Sequence, residues 1–470
     1  MGAKYVIDEN TLKGIADVVR EKTGKTDPIP VTKIKDEIEG VVDASVADIL
    51  NKRTDLVVTE NGEYVPEGDS TGFKSVKVEL TELPEVERKT VSFVDYDGAI
   101  LHTYSADEVK AMTEMPPLPS HDGLICQGWN WTLDEIKQYI ADFEEDNRHL
   151  YPFDVGAIYI TDDGKYRFVL NIDCEDGVEF GISFVFNTGS SYGSLNVDWG
   201  DGSEVDSFWL RGYGYPKHTY AKSGRYTVSL TSIGYVTSLF DPNGNACSLE
   251  EVYLGGTSNI KASLFAKQRG LKIVTIPNSV TEIGEKAFSF CTGLKHINLP
   301  DGIATLGASA FASSGVKRLT LPSKIQTMGG SIVSPGASDD YTGLTEHITF
   351  RSPTLASAVA RNLATLKEVN LAKTTKTIPT YAFDFAHSMR RFYVPSDIES
   401  IGDQALYVQL RLIDCTACRN IPTITNYSLS NQRNPVIRVP LHKLEEWKSA
   451  TNWSDRASLM VGIEVPWANE

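Results

Sequence analysis

A repeat of 22 or 23 residues restricts the possible folds of this chain more than any other sequence feature. Copies of the repeat begin at residues 248, 270, 293, 315, 343, 365 and 388. In each clear copy, apolar residues at alternating positions predict a short strand, Pro usually ends its pairing, and later apolar positions turn the chain back. One such unit cannot bury its apolar face alone, so the repetition predicts a stacked solenoid.

The length and charge of the chain limit its domain organisation and its partners. At 470 residues the chain is long enough for several domains. Its 62 acidic and 45 basic residues give a formal charge of −17. This charge argues against nucleic acid as a partner, because affinity for phosphates comes from Lys and Arg. No apolar run predicts membrane insertion, and no secretory signal pattern opens the sequence, so we expect synthesis in a cytoplasm without export.

Patterning outside the repeat predicts a multidomain, mainly β protein. The predicted segments are short helices at 1–45, a small β module at 46–84, a β unit with a C-terminal helix at 85–154, an antiparallel sandwich at 155–235, the repeat solenoid at 236–435 and a cap at 436–470. The N-terminal helices have narrow apolar stripes, such as Leu12, Ile15 and Val19. Helices this short are marginal in isolation, so residues 1–45 are predicted to need a partner.

An acidic stretch, VDWGDGSEVD at 197–206, is the first candidate site. Asp198, Asp201 and Asp206 could supply oxygens to calcium, although they lack the alternation of an EF-hand loop. Alternatively, Asp201 accepts hydrogen bonds from backbone groups or from His218, since buried polar groups need partners. The structural interpretation is favoured, and calcium is the alternative.

A cluster of aromatic residues follows this stretch and is the best candidate for ligand contact. Phe208, Trp209, Tyr213 and Tyr215 lie in a Gly-containing segment that is predicted to be an exposed loop. Rings at such a position could stack on a sugar or on a partner surface.

Other motifs favour packing over chemistry. One of Trp129 and Trp131 is predicted to face inward and the other outward, and core packing is favoured for this pair. Cys415 and Cys418 are predicted to be buried apolar residues rather than zinc ligands. The GSSYG motif at 189–193 matches the pattern of a catalytic serine turn but lies between predicted sandwich strands, so a loop is predicted. We expect no catalytic residues, no metal and no cofactor, although a glycosidase pair of distant carboxylates stays open.

The repeats resemble BspA-like leucine-rich repeats, whose pattern ends in Ile-Gly-x-x-Ala-Phe. The matching residues are Ile283, Gly284, Ala287 and Phe288 in one copy and Leu306, Gly307, Ala310 and Phe311 in the next. This resemblance implies a leucine-rich-repeat solenoid in which the phenylalanines of neighbouring coils stack.

Two further segments resemble known modules. The residues Trp199, Gly200, Asp201, Gly202, His218, Tyr220, Gly224 and Tyr226 match the pattern of the PKD domain, an immunoglobulin-like sandwich. The resemblance implies that Trp199, Asp201, His218 and Tyr220 form a structural motif at one corner of the sandwich. The sequence VSFVDYDGAIL, together with GLICQGWN, resembles the β-grasp repeat of internalin B.

The N-terminal residues resemble a leader found in structural proteins of bacteriophages that infect Gram-positive hosts. LKGIADVVREKTGKTDPI and TENGEYVPEGDSTGFKSVKVEL carry this resemblance. It implies a non-enzymatic virion protein, a fibre, baseplate or capsid decoration, that is a homo-oligomer, docks on virion proteins through residues 1–45 and contacts a host surface glycan or protein. The alternatives are a bacterial surface adhesin with leucine-rich repeats and a cell-wall glycan hydrolase.

Overall fold

The computed structural model describes residues 62–64, 76–78, 90–173, 180–183, 185–232, 236–238, 247–335, 343–429 and 434–469. The chain divides into two compact units, Met1–Val86 and Glu87–Glu470. In the first unit, strands β1 (Gly62–Tyr64) and β2 (Val76–Val78) pair in antiparallel orientation. The helices predicted within residues 1–45 lie outside the described residues.

The second unit begins with a four-stranded sheet and two helices, here called the brace module. Its elements are β3 (Val91–Val94), β4 (Ile100–Tyr104), α1 (Ala106–Ala111), β5 (Leu124–Trp129), α2 (Leu133–Glu145) and β6 (Phe153–Thr161). The strand order is β4-β3-β6-β5, with β3 and β6 parallel. A capping box between Thr132 and Glu135 starts α2. Trp131 is buried and Trp129 is half-buried against Phe93, so both tryptophans pack inward and the outward position predicted for one of them is wrong.

Antiparallel strands follow the brace module. They are β7 (Tyr166–Ile172), β8 (Phe180–Ser183), β9 (Val185–Asp198), β10 (Asp206–Gly214), β11 (Lys217–Tyr220), β12 (Gly224–Leu230) and β13 (Val236–Ser238). The main sheet has the order β10-β9-β12-β7, with β13 on β9, while β8 pairs with β11. The second half of β9 alternates exposed and buried residues, as in a strand whose sheet is packed on one face.

The repeat region forms two sets of short strands, one on each of two faces of a solenoid. The strands of the first face are β14 (Cys247–Tyr253), β16 (Ile273–Thr275), β19 (Arg318–Leu321), β21 (His347–Phe350), β22 (Glu368–Asn370), β24 (Arg391–Tyr393) and β26 (Leu412–Asp414). Those of the second face are β15 (Asn259–Ile260), β17 (Glu282–Ile283), β18 (Thr305–Leu306), β20 (Thr327–Met328), β23 (Thr377–Ile378), β25 (Ser400–Ile401) and β27 (Thr423–Ile424). Strands of consecutive coils pair in parallel, as β17 does with β18 and β21 with β22, and this pairing is interrupted between β16 and β19, between β22 and β24 and between β20 and β23.

The core of the solenoid is a stack of equivalent side chains from successive coils. The Phe265, Phe288 and Phe311 rings are fully buried and stack with centroids 5.3 and 5.4 Å apart. The predicted stacking of Phe288 on Phe311 is therefore confirmed.

The recurring glycines allow the backbones of neighbouring coils to approach. A Cβ atom on Gly284 would lie 2.4 Å from the backbone nitrogen of Ala262, and one on Gly307 would lie 2.3 Å from that of Glu285. The same glycines donate backbone hydrogen bonds, from Gly284 to Ile260 at 2.8 Å and from Gly307 to Ile283 at 2.7 Å. Glycine is needed here for space, because neither residue has a positive φ angle.

One coil interrupts the second face. Among the described residues, no strand of the second face is formed between β20 and β23, and Ser352 and Pro353 follow the first-face strand β21 there. In the next coil, Pro379 occupies the position that is equivalent to Gly307 and Gly402. The backbone N–H groups of these two glycines donate to carbonyl oxygens of the preceding coil. Proline has no N–H group, so this substitution avoids an unpaired donor beside the interruption.

The two ends of the solenoid are closed by different structures. At the first end, β14 pairs with β7 in antiparallel orientation and with β16 in parallel, so the antiparallel sheet continues into the solenoid. At the other end lie β28 (Val436–Pro440), η1 (Leu441–Lys443), α3 (Leu444–Ser449), η2 (Ser454–Leu459), β29 (Met460–Ile463) and η3 (Pro466–Asn469). Trp447 and Trp453 are buried there, which covers the apolar end of the stack.

The brace module lies along the first face of the solenoid and binds several coils. Asn298 donates through Nδ2 to the carbonyl oxygens of Asp95 and Ala157, both at 3.1 Å. Two coils further on, the Tyr139 hydroxyl donates to the Phe350 carbonyl at 3.1 Å. Asn370 is almost completely buried and donates to the Tyr151 carbonyl at 2.8 Å. This part of the first face is therefore covered by the chain itself.

Arg351 is the most enclosed ionic contact between the solenoid and the brace module. Its side chain is 2% exposed, and its guanidinium lies 3.8 Å from the Trp131 ring centroid. Nη1 is 2.8 Å from Asp301 and donates to the Asn130 carbonyl at 2.7 Å, while Nη2 lies 3.1 Å from Glu135. The contacts with these partners offset the free-energy cost of removing the guanidinium from water.

No helix in the described part of the chain has both the length and the apolar character needed to cross a membrane.

Replacing Gly307 tests the close approach of the coils. Gly307→Ala should lower the free energy of unfolding by about 1–3 kcal/mol, because the new Cβ overlaps the backbone of the preceding coil. Gly302→Ala in the same coil is the control, since its Cβ would lie 3.4 Å from the nearest atom. Denaturant unfolding measures both variants, and equal stabilities would contradict the packing argument.

Replacing Arg351 tests the attachment of the brace module. Arg351→Leu leaves two carboxylates without their cation and should destabilise the protein by about 3 kcal/mol. The exposed Arg411, changed to Leu, is the control and should have little effect. Thermal unfolding would report the difference. An Arg351→Leu variant as stable as the control would show that the contact does not hold the module.

Candidate functional site

Three aromatic residues of the acidic stretch and its surroundings form one packed corner. Trp199 is fully buried, and its indole nitrogen donates to Asp206 Oδ2 at 2.8 Å. The Tyr220 hydroxyl donates to the Trp199 carbonyl at 2.8 Å. The His218 ring stacks on the Trp199 ring with centroids 4.8 Å apart and an interplanar angle of 11°. These contacts join β9, β10 and β11 at one point.

Asp201 links the turn after β9 to His218. Its Oδ2 atom lies 2.7 Å from His218 Nε2, and the Ser203 backbone N–H donates to Oδ1 at 3.0 Å. Burial raises the pKa of Asp201, but the hydrogen bonds from Ser203 and His218 outweigh it and lower the pKa to about 2. Gly200 precedes it at φ +78°, where a Cβ would lie 2.3 Å from the Thr227 carbonyl oxygen. The turn therefore requires glycine.

The carboxylates of this stretch are occupied by local hydrogen bonds. Asp198 accepts from the Gly200 backbone at 3.0 Å, Asp206 accepts from Trp199, and Asp201 is bound as described above. Among the residues that the structure describes, no group of three or more His, Cys, Asp or Glu side chains could hold a metal ion. The absence of a calcium site remains a prediction.

The aromatic residues predicted to lie in a loop are instead on a strand. Phe208, Trp209 and Tyr213 belong to β10, and Tyr215 follows directly after it. The Gly212 residue suggested a turn, but at φ +85° it forms a bulge in the strand. Phe208 is half-buried and packs against the hydrophobic core, whereas Trp209, Tyr213 and Tyr215 are 69%, 67% and 61% exposed. The expected surface exposure is therefore found for three of the four.

Tyr192 joins this set and was not identified from the sequence. It lies on β9 in the GSSYG segment, which was predicted to be a loop. Its ring is 61% exposed and nearly parallel to the Trp209 ring, with an interplanar angle of 14° and centroids 6.0 Å apart. Tyr192 could have been identified from the alternation of exposed residues that is typical of paired strands. We call Tyr192, Trp209, Arg211 and Tyr213 the aromatic ribbon.

The aromatic ribbon is held in place by a bulge between β9 and β10. Arg211 is opposite Tyr192, but Tyr213 is opposite Asn187, so the register shifts between them. The Gly212 N–H donates to Thr188 Oγ1 at 2.9 Å, and Arg211 Nε donates to the Ser190 carbonyl at 2.8 Å. These bonds fix the orientation of the strand pair at the edge of its sheet.

The other candidates lie inside the protein. Cys415 and Cys418 are fully buried in the solenoid, as predicted for packing residues. Burial raises the pKa of the Cys415 thiol, which disfavours the thiolate that a metal would require.

Comparison with known proteins identifies the repeat region. The family model described as BspA type leucine rich repeat region matches residues 245–335 and 347–445 in 6 copies. The predicted BspA-like leucine-rich repeats are therefore confirmed for this part of the chain, as is the mainly β fold class. No functionally curated protein matches the sequence.

Solved leucine-rich-repeat proteins show only limited similarity. A leucine-rich repeat protein from Bacteroides ovatus is 20% identical over 46% of this chain and 60% of its own, with a TM-score of 0.33. One from Eubacterium ventriosum is 20% identical over 36% and 45%, with a TM-score of 0.26. A leucine rich cell surface protein from Faecalibacterium prausnitzii is 16% identical over 46% and 64%, with a TM-score of 0.25. The chain thus spans less than two thirds of each, and these similarities carry no functional argument.

Removing the Asp201 carboxylate should destabilise the corner. Because the folded-state pKa is lowered to about 2, the stabilisation is present above about pH 4 and is lost as the pH falls towards 2. Asp201→Asn should therefore cost about 1–2 kcal/mol at neutral pH, and the difference from the unchanged protein should shrink on acidification. Denaturant unfolding at several pH values measures this effect.

Glu204→Gln is the matched control, because Glu204 is an exposed acid in the same turn. It should leave the stability unchanged at every pH. Calcium binding that disappears in the Asp201→Asn variant would contradict the structural role of this residue.

Proposed function

We propose that this chain is a non-enzymatic attachment protein of a bacteriophage particle, in the role of fibre, baseplate or capsid decoration. Residues 1–45 dock on virion proteins or on sister copies, and the body from residue 90 onwards presents the aromatic ribbon to the surface of the host. The N-terminal resemblance to phage structural proteins supports the virion setting. In this proposal the 155–235 segment is a PKD-like sandwich that carries the ribbon.

The exposed aromatic ribbon is the observation that carries the attachment role. Large aromatic rings are normally buried or half-buried, and clustered exposed rings mark interaction surfaces. Trp209 and Tyr213 are more than 60% exposed although Trp199, ten residues before Trp209, is fully buried in the same sandwich. This contrast supports the proposal, because these strands bury one aromatic ring in the core and leave the ribbon outside it.

The covered face of the solenoid suggests the role of the repeats. Asn298 and Asn370 on this face hydrogen-bond to the brace module and are 6% and 1% exposed. A ligand cannot reach these positions without displacing a buried interface. The repeats therefore serve as a stiff support, and the recognition surface lies on the sandwich.

Multiple copies on one particle would strengthen weak contacts. A homo-oligomer or a ring of copies links several ribbons, and linked sites can raise the overall affinity by about 10²–10⁴ without new contacts. Docking through residues 1–45 provides the shared attachment point in this proposal.

A bacterial surface adhesin is the second candidate, and the BspA type repeat match favours it. In that setting the same ribbon would contact a surface from the bacterial envelope rather than from a virion. The two candidates differ in where the protein is found. Proteomics of purified particles would recover the protein under the first proposal, and recovery only with bacterial envelopes would support the second.

Deleting residues 1–45 tests the docking role. The remaining chain should stay folded and soluble, because Glu87–Glu470 is a compact unit with its own core. It should no longer be incorporated into particles when it replaces the complete protein during phage assembly. Immunoblots of purified particles measure incorporation. Normal incorporation of the shortened protein would show that the docking assignment is wrong.

A further inference from the structure

We infer that the aromatic ribbon binds an uncharged carbohydrate chain, with pyranose rings stacked on Tyr192 and Trp209. This inference names the ligand class for the proposed attachment role and rests on that proposal.

The two rings provide a surface that suits a sugar. They are nearly parallel, with centroids 6.0 Å apart, and are 61% and 69% exposed. The face of an aromatic ring is electronegative, and the C–H groups on one face of a pyranose are weakly electropositive. A sugar ring can therefore stack on such a surface while its hydroxyl groups remain solvated. Tyr and Trp also lose little side-chain entropy in doing so, because each has only two rotatable χ angles.

Tyr213 extends the surface along β10. It is on the same exposed face as Trp209 and Arg211, and its ring is 67% exposed. Residues rise about 3.3 Å along a strand, so the ring-bearing positions from 209 to 213 span at most about 13 Å, and the bulge at Gly212 shortens this distance. This length is suited to a chain of a few sugar units rather than to a single monosaccharide.

Polar groups beside the rings can bind the hydroxyl groups of a sugar. The Arg211 guanidinium lies 6.0 Å from the Tyr192 ring centroid and is held by its bond to the Ser190 carbonyl. A guanidinium has five N–H donors and no acceptor, so the donors that Ser190 does not use can bind oxygen atoms of a sugar. Ser194 lies opposite Trp209 on the exposed face and adds a hydroxyl group.

The size of the ribbon favours a glycan over a protein partner. Two strands about 4.8 Å apart and about 13 Å of strand length form a patch far smaller than the roughly 800 Å² that each partner buries in a stable protein interface. A carbohydrate chain needs no such area, because a few stacked rings and hydrogen bonds supply its contacts.

The charge of the protein favours an uncharged glycan. The chain has a formal charge of −17, and the aromatic ribbon contains a single cation, Arg211. Long-range repulsion would slow the approach of a polyanion, whereas a neutral polysaccharide experiences no such barrier.

Native gel electrophoresis in the presence of soluble polysaccharides tests the inference on the full chain. The neutral probes are galactomannan, mixed-linkage β-glucan, dextran and the neutral wall polysaccharide of the host, and alginate is the anionic probe. We expect at least one neutral polymer to retard the protein. Trp209→Ala and Tyr192→Ala should each weaken retardation about tenfold, while Trp209→Phe should keep most of it.

Tyr427→Ala is the matched control, because Tyr427 is a 60% exposed tyrosine on the solenoid, outside the ribbon. It should bind as the unchanged protein does. The inference is overturned if no neutral polymer retards the protein, if only alginate does, or if Trp209→Ala binds as well as the control.

Attachment of particles to host cells, measured with the same variants, separates this inference from the proposed function. If attachment depends on Trp209 but no neutral polysaccharide binds, the ligand class is wrong and the attachment role stands. If a neutral polysaccharide binds through Trp209 but attachment does not change in the variant, the carbohydrate site stands and the proposed function fails.

Discussion

The close approach of neighbouring coils is the constraint on which the rest of the structure depends. It requires residues without a Cβ atom at Gly284 and Gly307, where the backbone of the preceding coil lies within 2.4 Å of the position that a Cβ would take. At this spacing the Phe265, Phe288 and Phe311 rings stack in the core. The equivalent segments of successive coils then lie side by side on the first face, where the brace module binds several coils at once.

The repeat could be predicted from the sequence because its causes are local and recur at a fixed interval. Phe288 and Phe311, for example, occupy the same position in successive copies, and their stacking follows from the period. The covering of the first face could not be predicted in this way. Asn298 binds Asp95 across more than two hundred residues, and the single Asn has no pattern that would reveal a partner so distant. Long-range polar contacts of this kind depend on the folded surfaces that bring them together.

The candidate site was identified only in part, because two strand segments were predicted to be loops. Gly212 favoured a loop for the residues around it, yet the residue forms a bulge within β10. GSSYG was predicted to be a loop because it lies between predicted strands, and Tyr192 was left out, although the register of β9 and β10 places its ring beside Trp209. In contrast, the predicted contact of Asp201 with His218 is present, because the Ser203 backbone holds Asp201 in the turn after β9 and β11 places His218 beside it.

The brace module has a consequence for how this protein can change during evolution. Solenoids usually lengthen or shorten by duplication or loss of whole repeats, since each coil contacts only its neighbours. Here, Asn298 and Asn370 belong to coils that must stay a fixed distance apart to meet Ala157 and Tyr151 on one rigid module. An extra copy between these coils would displace one of the contacts by about 4.8 Å. The number of repeats beneath the module is therefore locked, and variation in copy number is confined to the coils after it.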